Sequence, residues 1–137
     1  MGKFRNVIVC EDVREELGGK RSLMGVFPGD IVVPQFPAKL RVSIYIEYIG
    51  DETESGDLSL GFRFLMDDVE VAKGVGTMPV LPNHVGLLIV PNGVISTANA
   101  AAFRILVTLN GGPEEELVSK KILLGDVTSL PTATLQP

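Results

Sequence analysis

The chain has 137 residues, a formal net charge of −5 and a sequence pI of about 4.8. Hydrophobic residues make up 45% and charged residues 21%, which excludes wholesale disorder and suffices for one domain with its own core. Because a phosphate backbone would be repelled by this acidic balance and no basic run offsets it, we expect no nucleic-acid partner.

Cysteine usage and hydropathy set the expected compartment. The single cysteine, Cys10, cannot form a disulfide within the chain, so an oxidising environment is not required. The first apolar stretch is too short for the core of a signal peptide. The apolar run "VGLLIVP", residues 85–91, is far below the roughly 20 residues of a membrane helix. We therefore expect a cytoplasmic protein with no membrane insertion.

The first quarter of the chain contains two predicted strands. Residues 6–13, "NVIVCEDV", form the first, and residues 20–33, "KRSLMGVFPGDIVV", form the second, which we expect to bend between Gly25 and Gly29. The segment "ELGGK", residues 16–20, is predicted to be the turn between them, because its glycines come too soon for a stable helix.

Two central segments, residues 39–49 and 58–66, alternate cleanly between apolar and polar residues, which is typical of half-buried strands. The polar link "GDETESGD", residues 50–57, predicts that they pair as an antiparallel hairpin. The side chains expected to face the core are Leu40, Val42, Ile44, Ile46 and Tyr48 in the first segment, and Leu58, Leu60, Phe62, Phe64 and Met66 in the second.

The next predicted strand covers residues 69–78, with Val69, Val71, Val75 and Thr77 on one side. Gly74 and Gly76 weaken this strand and indicate a bulge or a close approach of backbone. The later predicted elements begin with a strand over 85–90, a tight turn at Asn92-Gly93 and a loop or helical turn over 96–101. A strand over 102–109 follows, then a turn over 110–115 and a strand over 116–127. The side chains of the strand over 102–109 that are expected to face inward are Phe103, Ile105, Val107 and Leu109.

About eight or nine short strands with few helical candidates predict an all-β fold. We expect an antiparallel two-sheet β-sandwich, immunoglobulin-like or C2-like. Residues 1–127 would form this single domain, and residues 128–137, which lack a pattern and contain Pro131 and Pro137, an extended or flexible tail.

The stretch around Cys10 is the best candidate for chemistry. A catalytic cysteine needs a thiolate, made available by a histidine, a cation or a helix N-terminus. The neighbours Glu11 and Asp12 would raise the pKa of the thiol, and the single histidine, His84, lies in a distant proline-bounded turn. We therefore interpret Cys10 as a small strand residue, buried in the fold.

Acidic residues cluster beside this cysteine and in two later turns. We expect Glu11, Asp12, Glu15 and Glu16 to be solvated at a hairpin end and paired with Arg14, Lys20 and Arg21. The loop residues Asp51, Glu52, Glu54 and Asp57 do not match the spacing of an EF-hand calcium loop. Asp67 and Asp68 lie at the other end of the same strand, so the two groups cannot share an ion. The sequence thus predicts no catalytic, cofactor-binding or metal-binding residue.

The opening stretch carries a set of residues that matches a known pattern. They are Cys10, Glu11, Asp12, Gly19, Lys20, Leu23, Gly25, Val26, Phe27, Asp30, Ile31, Pro34 and Pro37. In these residues the stretch resembles a family of small uncharacterised bacterial all-β proteins, a domain of unknown function. The resemblance covers residues 9–40 and implies a bacterial sandwich-like domain with no site that carries over.

We expect a non-catalytic binding or self-assembling module with a protein partner or a second copy, as in a homo-oligomer. The apolar residues Leu65 and Leu106, opposite to core neighbours, suggest such an interface. Two alternatives are a calcium-dependent ligand-binding sandwich and an enzyme that uses carboxylates such as Asp12, Asp30 or Asp68.

Overall fold

The computed structural model describes residues 2–125, apart from the side chain of Asn92, and these residues form strands and connecting turns. The nine strands of this part are β1 (Lys3–Glu15), β2 (Arg21–Val26), β3 (Ile31–Val33), β4 (Ala38–Ile49), β5 (Gly56–Met66), β6 (Val69–Val80), β7 (Val85–Thr97), β8 (Ala101–Leu109) and β9 (Glu114–Leu124). The predicted tail, residues 128–137, lies outside the described residues.

The strands form two sheets, which confirms the prediction of an all-β fold with two sheets. The first sheet has the order β2-β1-β4-β7 and the second the order β3-β9-β8-β5-β6. Strand β3 runs parallel to β9, with Ile31 opposite Ile122, so the second sheet is mixed. The expectation of purely antiparallel pairing is wrong at this edge, because the chain crosses between the sheets after β2 and returns beside β9 in the same direction.

The core is one cluster of buried side chains from both sheets. Side chains alternate across a strand, so every second residue of β4, β5 and β8 points into this cluster. The inward faces predicted for residues 39–49, 58–66 and 102–109 are confirmed. The described residues contain no helix with the length and hydropathy needed to cross a membrane.

The predicted hairpin of residues 39–49 with 58–66 is wrong. Strand β4 lies between β1 and β7 in the first sheet, whereas β5 lies between β8 and β6 in the second. The short link between them crosses from one sheet to the other. Alternation fixes which face of a strand is buried and is the same for either neighbour, so it does not identify the partner strand.

Two further sequence expectations are corrected. The bent strand over residues 20–33 is two strands, β2 and β3, in different sheets. The predicted tight turn at Asn92-Gly93 is instead a bulge within β7. Val42 faces Gly93 while Ile44 faces Val90, so β7 has one extra residue at this point and continues.

A two-residue turn joins β5 to β6 where the sequence shows only an interruption of the pattern. Asp67 and Asp68 both have positive φ, 49° and 65°. Such turns match the twist of antiparallel strands, and aspartate tolerates this conformation better than most residues. The turn is held further because an Asp67 carboxylate oxygen accepts a hydrogen bond from the Ala102 N–H at 2.8 Å.

Candidate interaction edge

Cys10 lies in the middle of β1 with none of its surface exposed. Its thiol donates to the Asp12 carbonyl at 3.4 Å and approaches the Ser43 carbonyl at 3.7 Å. Burial raises the pKa of the Cys10 thiol, and the charges of Asp12 and Glu11 raise it further. The interpretation of Cys10 as a small buried strand residue is confirmed. His84 lies in the loop between β6 and β7, where its Nδ1 is 2.7 Å from the Pro82 carbonyl.

We predict that the Cys10 thiol reacts with a thiol-specific reagent at least about tenfold more slowly in the folded protein than in urea, because the reactive thiolate is both buried and disfavoured. The release of a chromophore from an aromatic disulfide measures both rates. Equal rates in native buffer and in urea would contradict the burial.

The acidic residues at the β1–β2 hairpin end are solvated and paired locally. Glu11, Glu15 and Glu16 are exposed, and Asp12 is half-buried. The pairs are Arg14 with Asp12 at 3.2 Å, Arg21 with Glu15 at 3.1 Å, and Ser22 with Glu16 at 2.9 Å. The predicted pairing is confirmed for Arg14 and Arg21, whereas Lys20 forms no ion pair with a described residue.

The carboxylates of the loop before β5 accept hydrogen bonds from the protein itself. Asp51 Oδ1 accepts from the Thr53 N–H and hydroxyl, both at 2.8 Å. Glu54 accepts from the Tyr48 hydroxyl at 2.8 Å and from the N–H groups of Gly2 and Asp51. Within residues 2–125, no three His, Cys, Asp or Glu side chains come together in an arrangement that could hold a metal ion.

The outward-facing leucines of the second sheet are covered. Leu65 lies opposite Arg104, and Leu106 lies opposite Arg63. Both leucines are buried within the chain itself, so neither forms the exposed interface that the sequence suggests. The arginines beside them are held in ion pairs, Arg63 with Glu70 and Glu114, and Arg104 with Asp68 and Glu116.

Three of the exposed apolar side chains lie along one edge strand, β6. This strand pairs with β5 on one side and with no described strand on the other. Val69, Val71 and Val75 are 63%, 49% and 91% exposed. Sheet edges expose unpaired backbone groups, and proteins ordinarily protect a long edge with charge, proline or a covering segment. An exposed edge with three valines is therefore a candidate interaction site, which we call the β6 edge and define as residues 69–77.

Pro79 identifies the backbone groups that face outward along this edge. In an antiparallel pair, successive residues direct their N–H and C=O groups to opposite sides of the strand. Pro79 lies opposite Asp57 and has no N–H, so it occupies a position whose N–H would point away from β5. Counting back by twos, Thr77, Val75 and Lys73 direct their N–H and C=O groups away from β5 as well.

The same register assigns the side chains of the edge. Val75 faces Gly61 and Lys73 faces Arg63, both on the outward side of the sheet. Ala72, Gly74 and Gly76 therefore point inward, towards the first sheet. No atom lies within 4 Å of the position that a Cβ would take at Gly74, so the inward side is open there, whereas Leu88 lies 3.4 Å from that position at Gly76.

A narrow slot separates β6 from β7, the adjacent edge of the first sheet. Near the connecting loop the two strands are close, because a Cβ at Gly86 would lie 3.0 Å from Met78 Sδ. Further from the loop the strands diverge and leave an apolar cavity of about 110 Å³. The residues that line it are Val42, Ile44, Phe64, Ala72, Val90, Gly93, Val94 and Ile95.

Comparison with models of known protein families finds no match to this chain, and comparison with the curated proteins finds none. The resemblance over residues 9–40 therefore stays a prediction.

Proposed function

We propose that the protein is a non-catalytic β-sandwich module, of the immunoglobulin-like or C2-like kind, that acts by accepting an additional strand at the β6 edge. The observation that carries this proposal is the 91% exposure of Val75 on a strand with no described neighbour on its outer side. Strand addition supplies main-chain hydrogen bonds to the incoming segment, and the side chains of the edge supply selectivity.

Two features that hinder the addition of a strand lie at the ends of the β6 segment and leave its middle open, which supports this proposal. Pro79 interrupts the edge near one end, and the shift of register at Val71 interrupts it near the other. Between them, Lys73, Val75 and Thr77 present their backbone groups with one charge among three side chains. This segment lacks the proline or covering loop that would prevent pairing with another strand.

The contacts of the candidate catalytic carboxylates also favour a non-catalytic role. Asp30 Oδ1 accepts a hydrogen bond from the Lys121 N–H at 2.9 Å, and Asp68 pairs with Arg104 at 3.0 Å. Asp12 pairs with Arg14. A general acid and base need two carboxyls in different environments that face one substrate, whereas these three serve separate structural contacts.

The test uses a fluorescent peptide with the sequence of Val69–Val80 as the added strand. We expect saturable binding to the protein by fluorescence anisotropy, and about tenfold or weaker binding when the peptide carries N-methyl groups at the residues equivalent to Val75 and Thr77, because these lack the N–H. Equal binding of both peptides, or binding of neither, would contradict strand addition.

A matched pair of protein variants locates the binding site. Val75→Pro removes an N–H that faces away from β5, so it should preserve the β5–β6 ladder and abolish peptide binding. Val75→Ala keeps the N–H and should retain most of the binding. If Val75→Pro fails to fold, as judged by its thermal transition, Thr77→Pro tests the same point one edge position away.

A further inference from the structure

We infer that the strand added at the β6 edge is β6 of a second copy of this chain, in antiparallel pairing about a two-fold axis at Val75. This inference rests on the proposed function and specifies the partner. The pair would join the two five-stranded sheets edge to edge into one continuous sheet. The contact is isologous, since each copy offers the same residues to the other.

The backbone groups of the edge are self-complementary in this register. With Val75 facing Val75 of the second copy, Lys73 of each copy faces Thr77 of the other. These residues direct both N–H and C=O outward, so the pairing forms about six hydrogen bonds and leaves no outward N–H of this segment unpaired. Pro79 lies beyond the pairs and interrupts none of them.

The side chains select this register over its neighbours. An axis at Lys73 would place two like charges directly opposite, which destabilises a strand pair. An axis at Thr77 would place Val75 opposite Pro79, which lacks a donor. An axis at Gly74 would pair Thr77 with Val71, where the register shifts, and an axis at Gly76 would pair Lys73 with Pro79, which lacks a donor. The axis at Val75 avoids both and buries the most exposed valine of the strand against its own copy.

The inward side of the edge is open around Gly74. Ala72, Gly74 and Gly76 face this side and carry at most a methyl group. No atom lies within 4 Å of a Cβ position at Gly74, whereas Leu88 of the same chain lies 3.4 Å from that position at Gly76. A second copy can therefore approach along β6 at Gly74, the residue next to the proposed axis.

The size of the contact predicts a weak dimer. One strand pair buries less surface than the roughly 1,200–2,000 Å² of a stable protein interface. We therefore expect a dissociation constant between about 1 µM and 1 mM, with monomer prevailing in dilute solution. Light scattering over this concentration range should show the mass rising from monomer to dimer.

Chemical crosslinking at single introduced cysteines tests the register. The native Cys10 is buried, so an added cysteine supplies the reactive thiol among the described residues. We expect Val75→Cys to give a covalent dimer with a short bis-maleimide, because the two copies meet at this position. Leu17→Cys at the exposed β1–β2 turn, on the far edge of the first sheet, should give at least about tenfold less. Val75→Pro should stay monomeric at every concentration.

The outcomes separate this inference from the proposed function. A chain that stays monomeric to 1 mM but binds the β6 peptide would overturn the second copy as partner and leave strand addition standing. A monomer that binds no peptide would overturn both proposals. A dimer that crosslinks through Leu17 and not through Val75 would show that the copies meet elsewhere and would overturn pairing along β6.

Discussion

Replacing Phe103 by alanine is expected to lower the free energy of unfolding by about 3–5 kcal/mol, the largest effect of any single substitution considered for this chain. Phe103 is fully buried and lies on β8, between β9 and β5 in the second sheet. Its ring belongs to the cluster that both sheets share. Truncation removes apolar surface from the core and leaves a cavity that close-packed neighbours fill only in part.

Urea unfolding followed by circular dichroism measures this loss as a lower midpoint with an unchanged slope. Leu17→Ala is the matched control, because Leu17 is 92% exposed at the β1–β2 turn and its truncation should change stability by less than about 0.5 kcal/mol. A similar effect of the two substitutions would contradict the placement of Phe103 in the core.

Glu54→Gln should cost about 1–3 kcal/mol, although it changes one atom of an isosteric side chain. Glu54 accepts hydrogen bonds from the Tyr48 hydroxyl and from the N–H groups of Gly2 and Asp51. A glutamine has one accepting oxygen, and its amide would direct N–H donors at groups that are themselves donors. Glu52→Gln in the same loop is the control, since Glu52 is exposed and its substitution should change stability by less than about 0.5 kcal/mol.

The pH dependence of this effect has a defined sign. Burial alone would raise the pKa of the Glu54 carboxyl, but hydrogen bonds from the Asp51 N–H, the Tyr48 hydroxyl and the Gly2 N–H outweigh burial and lower it from its ordinary value of 4.5. The stabilisation is therefore present above about pH 4.5 and is lost as the pH falls through the lower value of the folded state. Wild type and Glu54→Gln should converge in acid, and a gap that widened below pH 4 would contradict this linkage.

The phenol of the same pair titrates far above neutrality. Burial, followed by the hydrogen bond to Glu54, raises the pKa of Tyr48 to about 12. The Tyr48 hydroxyl thus remains a donor to the ionised Glu54 carboxylate at neutral pH. This hydrogen bond ties the end of β4 to the loop that connects the two sheets.

Side-chain alternation was sufficient to predict which residues face the core, but not which strands are neighbours. Leu58 and Phe62 point inward as their spacing requires, and so do Ile44 and Tyr48. Each of these strands satisfies its own alternation whichever strand lies beside it. The error over the hairpin of β4 with β5 arises because the link crosses between sheets, and link length alone does not distinguish the two arrangements.

The candidate site shows the same limit. The valines at 69, 71 and 75 are visible in the sequence as part of a strand, and their β-branched side chains favour it. Their exposure follows from the position of β6 at the end of the order β3-β9-β8-β5-β6, which is a property of the whole sheet. Conversely, Leu65 and Leu106 suggested an interface because they point away from the predicted core. They are buried instead because Arg104 and Arg63 lie opposite them on the neighbouring strand, and the sequence does not identify that neighbour.

The parallel pairing of β3 with β9 has a consequence for the order of events when the chain is synthesised. Ile31 pairs with Ile122, which is made long after it, and β3 has no other neighbour among the described strands. Strand β3 can therefore pair in its sheet only after β9 has been synthesised and has left the ribosome. Closure of so distant a contact is entropically slow, so we expect folding in milliseconds to seconds, completed only after translation has passed β9.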